Sequence, residues 1–142
     1  MAKMNPYLNF DGTAEEAFNF YKSVFGGEFR AVHKMADMPH AEQLPENEKN
    51  RIMHIALPID EHTVLMASDI MPSAGHKLDV GNNVYISLHP QSREEADHLF
   101  NSLSAGGVVE MAMADMFWGA YFGSFKDKYG ILWMINFEHN QQ

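Results

Sequence analysis

The chain has no cysteine among its 142 residues. That absence removes disulfides, thiolate metal sites and a cysteine nucleophile. It also has no apolar run approaching the ~18 residues of a membrane span. Met1–Pro6 lacks the apolar stretch of a signal peptide, so a cytoplasmic protein with no membrane partner is expected. Basic residues are scarce: ten Lys and Arg stand against nineteen Asp and Glu, a formal charge of −9. This opposes nucleic-acid binding, where Lys and Arg must neutralise phosphates. The acidic surface reads as a solubility feature. What the chain does have is 46% hydrophobic and 20% charged residues, a globular composition, and enough length for one domain with a core but not for two independent ones.

Two stretches read as rough copies, Tyr7–Phe29 and Tyr85–Val109. Thr13-Ala14-Glu15-Glu16 recurs 79 positions later as Ser92-Arg93-Glu94-Glu95, and Gly26-Gly27 recurs 80 positions later as Gly106-Gly107. Each copy gives a short strand, a turn, a capped helix, a Gly-Gly stop and another strand. Thr13 and Ser92 are the expected N-caps, with Glu16 and Glu95 at the return position of a capping box. Ala14, Ala17, Phe18, Tyr21, Val24 and Phe25 fall at helical spacing, as do Ala96, Leu99, Phe100 and Leu103.

Strands are expected at 5–10, 28–36, 51–59, 62–69, 82–89, 108–114, 120–126 and 131–138. In the third, Met53, Ile55 and Leu57 form one row and Ile52, His54 and Ala56 the other. Asp37–Asn50, with two prolines and three glutamates, is a long loop, either a lid or a solvated excursion. The order is βαβββ twice: an α+β fold of two modules, 4–69 and 82–138, joined by a linker at 70–81. The curved mixed sheets are expected to enclose a cleft lined by alternate strand residues.

Tyr7-Leu8-Asn9-Phe10-Asp11-Gly12, Glu15-Glu16-Ala17, Phe20-Tyr21, Phe25-Gly26-Gly27, Asp37-Met38-Pro39, Ser68-Asp69, Trp118-Gly119 and Asp127-Lys128-Tyr129-Gly130 followed by Trp133 together span nearly the whole chain. As a set they resemble the PhnB-like branch of the vicinal oxygen chelate superfamily, which includes glyoxalase I, bleomycin-resistance proteins, extradiol dioxygenases and fosfomycin-resistance enzymes. The resemblance implies a single domain of paired βαβββ modules and usually a homodimer, with the cleft formed within one chain or across a swapped dimer. It implies no single activity. A methyltransferase label attached to some PhnB-like chains does not suit this one. A typical methyltransferase needs a parallel sheet and a glycine-rich first turn, and here the first strand runs into Asp11-Gly12-Thr13.

Metal-dependent members of the superfamily carry His or Glu on the first, fourth, fifth and eighth strands. Matched to this chain, those positions hold Asn5 or Pro6, Met66, Tyr85 and Met134. None suits a divalent Mn, Ni or Zn ion, and a thioether is soft. No metal ligand and no cofactor is therefore assigned.

The expected inner rows are Asn5, Tyr7 and Asn9; Val64, Met66 and Ser68; Tyr85, Ser87 and His89; Tyr121, Gly123 and Phe125; and Met134. Aromatic and thioether surface with a few hydroxyls suits a small, partly apolar or aromatic ligand. The same residues also suit a filled core. The ligand-binding candidates are Tyr7, Asn9, His54, Met66, Ser68, Tyr85, Ser87, Trp118, Tyr121, Phe125 and Met134. Trp118, beside Phe117, either roofs the pocket or lies in a dimer interface. His54, the polar member of its row, is either a hydrogen-bonded cleft residue or a general base. The leading expectation is a metal-independent small-molecule binding or sequestering protein. The alternative is an enzyme of lyase, isomerase or dioxygenase type that uses His54 as base or a displaced divalent-metal site.

Overall fold

The structure, a computed structural model, describes residues 1–139. The chain divides into two compact units, Met1–Asp79 and a second beginning at Val80. The first contains β1 (Tyr7–Phe10), α1 (Ala14–Phe25), β2 (Ala31–Lys34), β3 (Ile52–Pro58) and β4 (Val64–Asp69). The second contains β5 (Ile86–Leu88), α2 (Arg93–Ser104), β6 (Val108–Asp115), β7 (Ala120–Lys126) and β8 (Leu132–Glu138). Each unit is the βαβββ run read from the repeat. Its sheet orders are β1-β4-β3-β2 and β5-β8-β7-β6, with one parallel pair in each, β1–β4 and β5–β8. No helix among the described residues is long and apolar enough to cross a membrane.

The repeat extends to burial. β3 and β7 show the same order of buried and half-buried positions along their seven residues, although no residue is identical between them. Each sheet has one face under its helix. In the first unit Ala14, Ala17, Phe18 and Tyr21 of α1 are fully buried. Phe18 sits edge-on to Phe10 at 6.5 Å and to Tyr21 at 5.4 Å, a geometry worth about 0.5–1.5 kcal/mol per pair beyond burial. In the second unit Phe100 of α2 meets Phe125 edge-on at 5.2 Å. Gly123 lies below that contact. A Cβ there would stand 2.8 Å from the Phe100 ring and 2.7 Å from the Met113 sulfur, so only glycine lets the helix come this close.

Two buried aspartates organise the turns. Asp69, 5% exposed at the end of β4, accepts Gly12 N–H at 2.9 Å and Ala14 N–H at 3.0 Å through Oδ1, and Ile52 N–H at 2.8 Å through Oδ2. It thereby serves the start of α1 in place of Thr13, whose side chain makes no cap bond. A cap borrowed from 55 residues away leaves no local signal. Ser92 does cap α2, accepting Glu95 N–H at 3.1 Å, while Glu95 reaches back to Gln91 N–H at 2.7 Å. Asp127, 2% exposed, accepts Tyr129 N–H at 2.8 Å, Ile131 N–H at 3.0 Å and the Trp133 indole N–H at 2.8 Å. The Asp-Lys-Tyr-Gly…Trp motif is thus a surface turn built on a buried carboxylate that fixes the start of β8.

Three expectations need correction. β2 and β5 are shorter than read, four and three residues. Ile52 does not share a face with His54. A bulge opposite the His33/Lys34 step, where Met53 has no partner, turns Ile52 over to the buried side with Ile55. Segment 37–50, expected as a loop with one helical turn, has more of them: short 3₁₀ turns cover Ala41–Gln43 and Glu46–Glu48, after one at Met35–Asp37. Its far end is tied down by Glu48, 4% exposed, which accepts Ser73 N–H at 2.8 Å and the Ser73 hydroxyl at 2.6 Å.

Replacing Asp69 or Asp127 with alanine strands several buried N–H donors at once. We expect each change to lower the unfolding free energy by about 2–4 kcal/mol in urea titrations. Thr13→Ala should cost less than about 0.5 kcal/mol. A Thr13 cost equal to that of Asp69 would contradict the assignment of the cap.

Candidate functional site

The helix-free faces of the sheets carry most of the candidates. In the first unit Tyr7 lies opposite Met66 and Asn9 opposite Ser68, all on this face. The Ser68 hydroxyl donates to Asn9 Oδ1 at 3.2 Å. His54 and His33 are direct partners across β3 and β2. The Tyr7 hydroxyl shares a 3.1 Å hydrogen bond with His54 Nδ1, and the two rings stack with centroids 5.7 Å apart at 21°. Tyr7 is 46% exposed. The phenol therefore sets the orientation of the imidazole and engages Nδ1, leaving Nε2 outside that bond.

In the second unit Ser87 lies opposite Met134, and Met134 opposite Ser124. Glu110 reaches this face from β6: its Oε1 accepts the Tyr85 hydroxyl at 2.7 Å and the Ser124 hydroxyl at 3.5 Å. The Glu110 carboxylate raises the pKa of the Tyr85 phenol, first by holding its proton in that hydrogen bond. Ser87 bonds His89 Nε2 at 3.1 Å. Trp118, 56% exposed, meets Phe122 of β7 edge-on at 6.2 Å. By the shared burial order of β3 and β7, Phe122 occupies the place that His54 has in the first unit, and Ser124 the place of Ala56.

Tyr121, Gly123 and Phe125 lie on the opposite face. The Tyr121 hydroxyl donates to Asp97 of α2 at 2.6 Å, which raises the phenol pKa, and the Arg93 guanidinium lies 3.9 Å over its ring. Arg93 also holds Asp115 at 2.8 Å and lowers that carboxyl's pKa. Phe125 is fully buried against Phe100. The structure thus reverses the expected phase of β7, because Tyr121-Phe122-Gly123 offers apolar groups to both faces. Ser124 and Lys126 were the polar pair that marked the open side. Sequence reasoning also missed Glu110, the one charged residue within Val108–Ala114.

The four positions matched to the superfamily's metal ligands do not fit a hard divalent ion. Asn5 Oδ1 accepts Val64 N–H at 2.9 Å, the Tyr85 hydroxyl is bound to Glu110, and Met66 and Met134 offer only thioethers. Among the described residues no three His, Asp or Glu side chains are gathered as a metal-binding group. The first unit also has an open polar recess of about 260 Å³ at Gly12, Asn47, Asn50 and Arg51. It lies at the turn into α1, where Arg51 is occupied by Asp11 at 2.8 Å and the Ile70 carbonyl at 3.2 Å.

Paired βαβββ units with these sheet orders define the glyoxalase/bleomycin-resistance fold. A family enzyme of that class from Burkholderia phytofirmans shares it at a TM-score of 0.57 and 17% identity, over 95% of each chain. Within that fold, residues 2–136 match the family described as 3-demethylubiquinone-9 3-methyltransferase, the PhnB-like family, and the chain belongs to it. Protein YjdN of Escherichia coli K12 is 32% identical over 141 residues, 94% of this chain and 93% of that one. The crystal structure of protein PA1353 from Pseudomonas aeruginosa is 38% identical and superposes with a TM-score of 0.85, covering 97% of this chain and 98% of that one.

Glu110→Gln should let the Tyr85 phenol titrate at lower pH, because the phenolate would no longer form beside a carboxylate. Tyrosine ring-carbon NMR shifts followed against pH check this. No movement of the Tyr85 titration would contradict the pairing.

Proposed function

We propose that this protein binds a small, partly apolar molecule on the helix-free sheet faces, without a divalent metal at the superfamily's usual positions. The observation that carries the reading is the Tyr7–His54 pair, two stacked and partly exposed rings joined edge to edge by a hydrogen bond. Around it stand Met66, Ser68 and Asn9. Aromatic faces offer stacking surface while the hydroxyl, amide and imidazole groups fix orientation, the usual division of labour in small-molecule sites. A homodimer in the cytoplasm is the proposed working form.

The methyl transfer in the family's description is not part of this proposal. The fold has mixed sheets with a single parallel pair each, and β1 leads into Asp11-Gly12-Thr13 rather than a glycine-rich turn. A second reading, catalysis with His54 as general base, is favoured by the Tyr7 bond to Nδ1: in the tautomer whose Nδ1–H donates to the phenol oxygen, Nε2 holds the lone pair that takes a substrate proton.

Purified protein should carry no stoichiometric Mn, Ni, Fe or Zn by elemental analysis. Its binding of aromatic small molecules, followed by ligand-observed NMR, should survive a chelator. One tightly held equivalent of such a metal, or binding abolished by the chelator, would contradict the reading. For any ligand so found, His54→Ala should weaken affinity several-fold. Unchanged affinity with lost turnover would favour the catalytic reading instead.

A further inference from the structure

The helix-free faces of the two units differ in charge: the second carries two carboxylates, Glu138 at the end of β8 opposite Ala120 and Glu110, which hydroxyls hold in place. In the first unit the face presents Tyr7, Asn9, His33, His54, Met66 and Ser68, with no carboxylate among them. In the second, Glu110 is held on the face by two hydroxyls, and both bonds fall on Oε1. Its Oε2 accepts from no side chain or backbone group among the described residues. No Lys or Arg there forms an ion pair with it, although Lys126 stands two residues beyond Ser124 on β7. The carboxylate is thus held in position at the surface with Oε2 open to a ligand.

Aromatic surface lies next to it. Phe122 and Ser124 share this face of β7, so the Phe122 backbone is about 6–7 Å from that of Ser124. Trp118 rests edge-on against Phe122 and is 56% exposed, and Phe117 beside it is 97% exposed. Exposed rings within one small molecule's length of an unpaired carboxylate form the arrangement that recognises organic cations, because ring faces are negative and the carboxylate supplies the formal charge. The formal charge of −9 adds a general attraction for cations.

We infer that the second unit's helix-free face takes an organic cation, a protonated or quaternary amine with an apolar or aromatic body. Glu110 is its counter-ion, and Trp118 and Phe122 are the surface on which it rests. The inference rests on the small-molecule reading above and specifies its ligand's charge.

Three probes of similar size and different charge test it on the full chain: benzyltrimethylammonium, benzyl alcohol and benzoate. Binding is read from the Trp118 indole N–H and the Ser124 amide in NMR titrations. The cation should bind at least about tenfold more tightly than the alcohol, the equivalent of about 1.4 kcal/mol, and benzoate should bind weakest. Glu110→Gln, which keeps an oxygen for Tyr85 and Ser124, should erase the preference for the cation, and Trp118→Ala should weaken the cation with the Glu110 preference retained. If the alcohol or benzoate binds at these signals as tightly as the cation, or Glu110→Gln leaves the preference intact, the charge assignment is overturned while the small-molecule reading stands. If no probe moves these signals, the inference is overturned, and the chelator-insensitive ligand screen decides separately whether the broader reading survives.

Discussion

A single helix lies on each sheet of this protein, and it takes every second side chain of the strands beneath it. That packing sets the phase of the strands. Phe18 and Tyr21 hold one face of the first sheet, and Phe100 holds one face of the second against Phe125. Most of the candidate residues, Tyr121 and Phe125 excepted, then fall on the other face, because a strand has only two sides. The position of the Phe100 ring, with Gly123 flattened beneath it, decides that Phe122 and Ser124 rather than Tyr121 and Phe125 are available to a ligand. The reading of the second unit's open face depends on that one packing contact.

The buried carboxylates keep the two faces distinct. Asp69 and Asp127 take up backbone N–H groups at the strand ends and helix entry. A carboxylate oxygen can accept more than one such bond, and neither residue has acceptor capacity pointed at solvent. They hold turns rather than ligands. Glu110 is the contrasting case, a carboxylate bound on one oxygen only and left at the surface. The family motif that contains Asp127 is therefore read as architecture, and the residue with chemical prospects lies in a strand that no motif marks.

Local signals carried much of the fold into the sequence. The Thr-Ala-Glu-Glu and Ser-Arg-Glu-Glu turns with their Gly-Gly stops gave both helices and the duplication. Tyr7, Asn9, Met66 and Ser68 fall on one face because β1 and β4 alternate cleanly, and that face is the one without the helix. What was not legible depended on contacts distant in sequence. Asp69 replaces the Thr13 cap from 55 positions away. The bulge at Met53, which turns Ile52 inward, is a property of strand pairing. In β7, Tyr121-Phe122-Gly123-Ser124-Phe125 has apolar groups on both faces, so alternation alone gives no phase. Glu110 is an exposed strand residue, singled out only by its bonds to Tyr85 and Ser124, both distant in sequence.

The central claim is that helix packing reserves alternate strand residues for a ligand. It is tested most directly by intermolecular NOEs, or a crystal structure, of the protein with any small molecule that it retains. The account predicts contacts with Tyr7, His54 and Met66, or with Ser124, Phe122 and Trp118, and none with Phe18, Phe100 or Phe125. A ligand lodged beneath either helix, against Phe100 or Phe18, would contradict it.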